Sequence, residues 1–294
     1  MTRPNLIFTR GGDDSLHPTW LAADGPARSW DLHVSYFGKG EKPACADVDG
    51  VSFTRDEARF KWGGMRVCLD KQPFDLSKYE YIAFPDDDIV VATEGWNRAF
   101  ALMKRYDLSA AQLALHPHSY YTINMTLQRP GTRLRYTNYT ESMVPLARTE
   151  VFAHAAQYFG DPQSSWGIDY VIAHRVKDKP KSQAILDAVP ALHTRAHGVS
   201  PMYKDMTGGG LDYYQQEAAF LARLGLARVD RTTLGALDLQ GREIADIAML
   251  KRPLVLPRAL RASRSVRGAT RILSIHDPQE KLERAIRLVA PRDI

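Results

Sequence analysis

Over the first 115 residues the apolar positions fall into short runs that alternate between strand-like and helix-like spacing. Asn5–Thr9 reads as a buried strand that opens into the glycine turn Arg10-Gly11-Gly12-Asp13. Trp30–Phe37 reads as a second strand ending at Gly38, followed by a loop to Gly50. Arg55–Asp70 has helical spacing, weakened by Gly63-Gly64. Tyr79–Phe84 is a third strand leading through Pro85 into three aspartates. Glu94–Tyr106 predicts a helix with Trp96, Phe100 and Met103 on one face and Thr93 as its N-cap, and Ala111–Leu115 predicts a fourth strand. Strand, helix and strand in succession predict an α/β fold with a mostly parallel sheet flanked by helices. Such sheets bind ligands beyond the carboxyl ends of their strands, where the glycine turn, Tyr36-Phe37-Gly38 and the aspartates all fall.

Further along the pattern loosens. Tyr121–Gln128 and Arg133–Tyr139 flank Arg129-Pro130-Gly131-Thr132, and Pro then Gly at the centre signals a type II turn, so a hairpin is expected. Glu150–Phe159 and Trp166–Arg175 read as helices, Lys177–Lys181 as a surface loop and Ala184–Leu186 as a short strand. Thr207-Gly208-Gly209-Gly210 reads as a hinge. Beyond it, Leu211–Leu226, Arg242–Leu250 and Glu280–Val289 predict helices. The expected division is an α/β domain over residues 1–205 and a helical C-terminal extension over 206–294.

Composition narrows the class. Of the 294 residues 44% are hydrophobic and 25% charged, a balance that excludes a disordered or fibrous chain. No run approaches the roughly 20 apolar residues of a membrane span, and the N-terminus lacks the apolar core of a signal peptide. Two cysteines, Cys45 and Cys68, offer no CxxC pair, so both are read as structural and a cytoplasmic location is expected. The net charge of +5 is uneven. Residues 251–294 hold eleven Lys/Arg and four Asp/Glu, leaving 28 against 30 before them. This basic tail has three readings: contact with anionic lipid at the inner face of the membrane, or with a lipid-linked acceptor; nucleic-acid binding; or a solvated or oligomer-forming extension. Its arginines lack interleaved aromatics, so no nucleic-acid partner is expected.

The chemistry begins at Asp86-Asp87-Asp88. Alternate carboxylates at a strand end point the same way, so Asp86 and Asp88 can share a target while Asp87 faces away. Carboxylates this close repel unless a cation relieves them, and oxygen ligands suit Mg²⁺ or Mn²⁺ with substrate phosphates completing the shell. A solvated acidic turn or a helix cap is the plainer alternative. Two chemistries use the pattern: the D-x-D of metal-dependent glycosyltransferases, and the D-x-D-x-[TV] loop of haloacid-dehalogenase-type phosphatases, which Asp86–Val90 formally fits. Those phosphatases carry the loop on their first strand and need a later acidic pair.

A second group of candidates follows. Trp166-Gly167-Ile168-Asp169-Tyr170 sets a carboxylate among aromatics at a helix start, where it is either a first-turn acid or a general base of raised pKa. His193, in a segment with His197, is a structural histidine or an Mn²⁺ ligand. His116 and His118 read as cleft lining. Lys61 and Trp62 offer a cation and a stacking face, and Arg10 beside Gly11 offers a phosphate contact assisted by backbone N–H groups.

Taken in order, these pieces resemble a plant and bacterial domain family of unknown function whose plant members are often labelled "lysine ketoglutarate reductase trans-splicing related", and which is similar to GT-A-type glycosyltransferases. The resemblance covers residues 5–200. It rests on Asp31–Gly38, with Phe37 where the family has an acid, and on Lys61-Trp62, Tyr79–Asp88, Leu113–Pro117 with Ser119, Trp166–Tyr170, and Asp187 followed by His193. It implies a GT-A-like fold in which Asp86 and Asp88 bind metal and nucleotide, His193 is the third metal ligand and Asp169 is the catalytic base. Arg10, Gly11, Tyr36, Lys61, Trp62, Asp87 and Trp166 complete the expected substrate-binding set. The expected activity is a metal-dependent glycosyltransferase moving a sugar from a nucleotide diphosphate sugar to a hydroxyl acceptor, lipid-linked or polysaccharide. The alternatives are a phosphatase using the Asp86–Asp88 loop and a non-catalytic sugar- or nucleotide-binding protein.

Overall fold

The computed structural model describes residues 3–21, 27–71, 75–161, 166–196, 212–255 and 278–289. Strands β1 (Asn5–Gly11), β2 (Trp30–Tyr36) and β4 (Tyr81–Ala83) are buried along almost their whole length, as parallel strands covered on both faces must be. With β3 (Val51–Arg55) they lie in the order β3-β2-β1-β4, all parallel. Next comes β8 (Pro145–Arg148), antiparallel to both β4 and β6 (Ala110–Leu115); its Pro145, which has no N–H to donate, stands at the strand's first position. β6 pairs in parallel with β9 (Gln183–His193), and β7 (Thr132–Thr137) and β10 (Thr233–Asp238) continue antiparallel. The two-residue β5 (Ile89–Val90) pairs with the far end of β9. The α/β class expected from the sequence is thus what the chain forms, with a parallel core widened by antiparallel strands.

Successive strand residues feed opposite layers. Tyr81 and Ala83 pack with Trp96, Ala99 and Phe100 of α2 (Thr93–Arg105), whereas Ile82 and Phe84 pack with Trp62 of α1 (Lys61–Lys71), Phe152 of α3 (Thr149–Ala156) and Val171 of α4 (Ile168–Val176). Gly64 does not break α1. A side chain there would strike the Arg10 guanidinium and the Asp56 carboxylate, so the glycine lets the helix close against β1. Thr93 does not cap α2 either; its hydroxyl donates to the Trp20 carbonyl at 2.6 Å. Both cysteines are buried free thiols.

The expected hairpin does not form. The turn itself is present, with Gly131 at φ +84° and Thr132 N–H bonded to the Arg129 carbonyl at 3.3 Å. Residues 121–128 form no named strand, and β7 pairs with β9 and β10 instead. Nor is the C-terminal region wholly helical. It contributes α5 (Tyr213–Arg223), the sheet strand β10, the short α6 (Ala248–Lys251) in place of a helix from Arg242, and α7 (Pro278–Val289). Residues 207–210, the expected hinge, and His197 lie outside the described residues. α7 lays Ala285 and Val289 against Val90 and Leu192, so the apolar face that a membrane-surface helix would need is packed on the protein. Among the described residues no helix is long and apolar enough to cross a membrane.

β9 is far longer than the expected Ala184–Leu186, and it bends. Its register against β6 jumps from Leu186 to Pro190 while β6 advances by one residue. The Asp187 carboxylate in this bend is fully buried and bonded by Arg135 at 2.8 and 3.0 Å and by the Arg129 N–H at 2.8 Å. Removing one partner strands a buried charge. Arg135→Met should therefore cost about 3–5 kcal/mol in chemical denaturation, and adding Asp187→Leu should recover most of it.

Candidate active site

The carboxyl ends of β1, β2 and β4 open on one face, and the acid loop Asp86–Asp88 crosses it. Every backbone position of that loop is held. Asp86 N–H donates to the Met143 carbonyl at 2.8 Å, and the Asp87 carbonyl accepts from Leu16 N–H at 2.7 Å. The Asp88 carbonyl accepts from Thr194, by N–H at 3.1 Å and by hydroxyl at 2.9 Å. The Ser15 hydroxyl donates to the same Asp87 carbonyl at 3.4 Å, so the first glycine turn and the acid loop meet.

Each carboxylate has its own cation. Lys61, the first residue of α1, donates to Asp86 at 2.7 Å and to the Ser142 carbonyl at 2.9 Å. Arg195 reaches Asp87 at 3.0 Å, and His193 Nε2 lies 3.1 Å from Asp88. Asp86 and Asp88 therefore turn to different partners, and Asp87 is not a bystander. Burial raises Asp86, with the Asp88 charge adding to it against Lys61, though a side chain 36% exposed feels this less. Burial and the Asp88 charge push Asp87 up to about 6. Burial also opposes charge on Asp88 and on His193, but their mutual contact prevails. It holds Asp88 below the usual carboxylate range and lifts His193 to about 9. Burial holds Lys61 below its usual value despite Asp86.

The donor types suit a hard divalent cation. His193 Nδ1 faces the Tyr120 carbonyl at 2.9 Å, and a carbonyl only accepts, so Nδ1 carries a proton and Nε2, which faces Asp88, is the nitrogen a metal could take once its own proton leaves. Asp88 Oδ1 is buried and has no partner among the described residues. Asp86, also expected as a metal ligand, is paired with Lys61, and among the described residues no group of three His, Cys, Asp or Glu is gathered to hold a metal. The protein offers two donors, Asp88 and His193.

Asp169 stands in the first turn of α4. Tyr139 donates its hydroxyl to one oxygen, and Tyr170 N–H donates to the other at 3.0 Å. Burial, opposed by the Tyr139 hydrogen bond, lifts Asp169 to about 6. Arg231 caps the pair, lying over the Tyr139 ring at 4.4 Å and donating to the Tyr170 hydroxyl at 2.6 Å. Trp166 stacks on Tyr213 of α5 at 5.3 Å, with exposed Tyr214 edge-on at 5.1 Å.

Three expected substrate contacts have other work. Arg10 is held by Asp56 at 3.0 Å and by the Ala58 carbonyl, and it lies over the Phe37 ring. Trp62 is buried and stacks on Phe159 at 4.7 Å, which makes it core. Tyr36 is buried and donates its hydroxyl to Asp13. Gly11 is backbone in the turn, where a side chain would strike Ser15 and His17. His116 and His118 stack on each other at 5.2 Å in the loop whose Ser119 and Tyr120 hold His193.

Sequence reading missed Glu141, Arg195, Tyr139 and Arg231. Glu141 is buried between β7 and β8. The Thr122 hydroxyl bonds its Oε1, and Oε2 is buried without a partner among the described residues. Burial, with the Asp169 charge adding and Thr122 opposing, raises it to about 7. The only signal was an acid inside the otherwise uncharged stretch Tyr139–Val144.

No protein-family profile matches the chain, and no curated protein does. Solved structures of S. aureus TarS are similar to it. One matches at 11% identity and a TM-score of 0.45 over 76% of this chain and 43% of that one. TarS 1-349 in complex with UDP-GlcNAc matches at 12% and 0.48 over 78% and 68%. The complex with UDP matches at 14% and 0.44 over 76% and 71%. The chain spans less than half of the longer TarS structure.

The Glu141 environment has a signed consequence. A carboxyl whose folded pKa is raised favours folding below the unfolded value and loses that advantage as pH rises through the folded pKa. Relative to Glu141→Gln, the wild type should lose about 3 kcal/mol between roughly pH 4.5 and 7 and nothing more above it. Parallel melts of the two proteins from pH 4 to 8 measure the difference.

Proposed function

We propose that the chain is a metal-dependent glycosyltransferase that moves a sugar from a nucleotide diphosphate sugar to a hydroxyl acceptor. The observation that carries this reading is Asp88 with an unpartnered buried oxygen beside His193, whose coordinating nitrogen is fixed by Tyr120. This pair stands at the carboxyl ends of a parallel sheet, where such folds bind ligands.

In this reading Asp88 and His193 hold Mn²⁺ or Mg²⁺, which supplies Lewis-acid neutralisation of the leaving diphosphate. Lys61 holds Asp86 in place at the same end, and brings a cation near the phosphates. Asp87, whose carboxylate meets Arg195 and whose carbonyl accepts from Leu16 N–H, fixes the first glycine turn against the acid loop. Asp169 takes the acceptor proton: at about 6 its pKa leaves it ionised at neutral pH yet more basic than an exposed aspartate. Tyr139 orients it, and Trp166 with Tyr213 walls the approach of the acceptor.

Thermal shift against UDP, GDP, CMP and dTDP tests the donor site. One nucleotide should stabilise the protein only with Mn²⁺, by about 2.7 kcal/mol at a hundredfold its Kd, and Asp88→Asn should abolish the effect. No shift with any of the four overturns the reading. Metal-dependent binding with no sugar transfer would favour a non-catalytic binding protein.

A further inference from the structure

We propose that Glu141 grips the transferred sugar, its free carboxylate oxygen accepting a hydrogen bond from a hydroxyl of a neutral glycosyl group. The inference rests on the donor-site reading above and names the part of the donor that this residue recognises.

Position is the first argument. A glycosyl group in transit lies between the diphosphate end of its donor and the base that activates its acceptor. Glu141 lies between the two ends along one segment, for Tyr139, two residues before it, donates its hydroxyl to Asp169. It also opens the segment whose next two carbonyls support the diphosphate end: Ser142 accepts from Lys61 at 2.9 Å and Met143 accepts from Asp86 N–H at 2.8 Å. The residue is built into the donor-site wall.

Anchoring is the second. The Glu141 N–H donates to the buried Gln112 side chain at 2.6 Å, and its Oε1 accepts the Thr122 hydroxyl. The backbone and one oxygen are fixed, so the other oxygen is fixed too. That oxygen, Oε2, is shut from solvent in a residue 8% exposed and has no donor among the described residues. A buried acceptor left unmade is costly, and a carboxylate has room for more than one further donor. The cations whose charge acts on Glu141 do not fill the gap, since His193 meets Asp88 and Arg231 donates to the Tyr170 hydroxyl.

The chemistry of the missing donor follows. In its ionised form, which a donor at Oε2 favours, Glu141 only accepts, so it selects a group with O–H or N–H to give, and a sugar hydroxyl or an acylamino N–H qualifies. A uronic acid would set a second carboxylate against Glu141 and Asp169 and be rejected. The substrate class is therefore a neutral or acylamino sugar.

Calorimetry on the full chain with Mn²⁺ separates this from a structural role. UDP, GDP, CMP and dTDP are compared with UDP-glucose, GDP-mannose, CMP-sialic acid and dTDP-glucose. For the nucleotide that binds, Glu141→Gln and Glu141→Ala should leave the bare nucleotide within about twofold, and the alanine variant should weaken a neutral-sugar conjugate by about tenfold to a hundredfold. The glutamine variant, nearly isosteric, keeps the test open if alanine fails to fold. Equal loss for nucleotide and conjugate, or no loss for either, overturns the proposal and leaves the donor site standing. So does CMP-sialic acid, which carries a carboxylate, as the preferred conjugate. A wild type that binds no bare nucleotide overturns the donor site and this proposal together.

Discussion

The fold of the site depends on one buried ion pair. β9 cannot both follow β6 and deliver His193 to Asp88 without bending, and the bend strands the Asp187 carboxylate where no water reaches it. Arg135 answers with a two-pronged grip. Its remaining N–H groups reach the Met125 and Leu127 carbonyls at 2.8 Å each. One guanidinium thus fixes three things: the bend, the connecting segment before the Arg129–Thr132 turn, and the strand β7 on which it rides. Replacing such a pair with apolar residues need not cost stability, so its value lies in specifying this bend over a straight strand. Beyond the bend, Pro190 and Ala191 resume pairing with β6, and Leu192 and His193 pair with β5, which sets the imidazole beside the acid loop.

The second constraint is charge. Three consecutive carboxylates would repel severely in a half-buried loop, and three cations meet them one by one: Lys61 from α1, His193 from the end of β9 and Arg195 just beyond it. Because Asp86 is taken by Lys61, the metal-binding potential concentrates on Asp88. The loop's backbone is pinned from Met143, Leu16 and Thr194, so the carboxylates cannot move apart to relieve their repulsion. A site held this rigidly is preorganised for charge on a ligand. Here a local conflict is tolerated where the surrounding structure over-determines it.

Much of this was legible in the residues. Buried runs such as Asn5–Thr9 and Tyr79–Phe84 announced their strands because apolar length and flanking turns are local signals. Asp86–Asp88, Lys61 and His193 were found by residue type and placement, and they do come together. Role assignments failed where the decisive partner is remote in sequence. Arg10 has phosphate chemistry, but Asp56 claims it from the end of β3; Trp62 has a stacking face, but Phe159 covers it. The Arg129–Thr132 turn was correctly legible, yet a turn does not make a hairpin when Arg135 holds the incoming carbonyls as single bonds to a side chain. Glu141 carried no spacing signal, because its meaning comes from Thr122 and Gln112, brought in by other strands and loops.

The basic tail is the element whose meaning changes most between sequence and structure. Read alone, Glu280–Val289 is an amphipathic helix with cations on one side, a form suited to an anionic surface. In the fold its apolar residues Ala285 and Val289 cover Val90, two residues after Asp88, and Leu192, next to His193, with Leu16 from the first glycine loop packed alongside. The tail's apolar face therefore closes the back of the β5–β9 pair that carries both proposed metal ligands. A membrane contact from this helix would be left to its exposed charges, worth about 1 kcal/mol per cation near an anionic surface and weakened by salt. Packing on the site is the stronger interaction of the two. The helix thus supports the geometry of Asp88 and His193 in the way Arg135 does from the other end of the same strand.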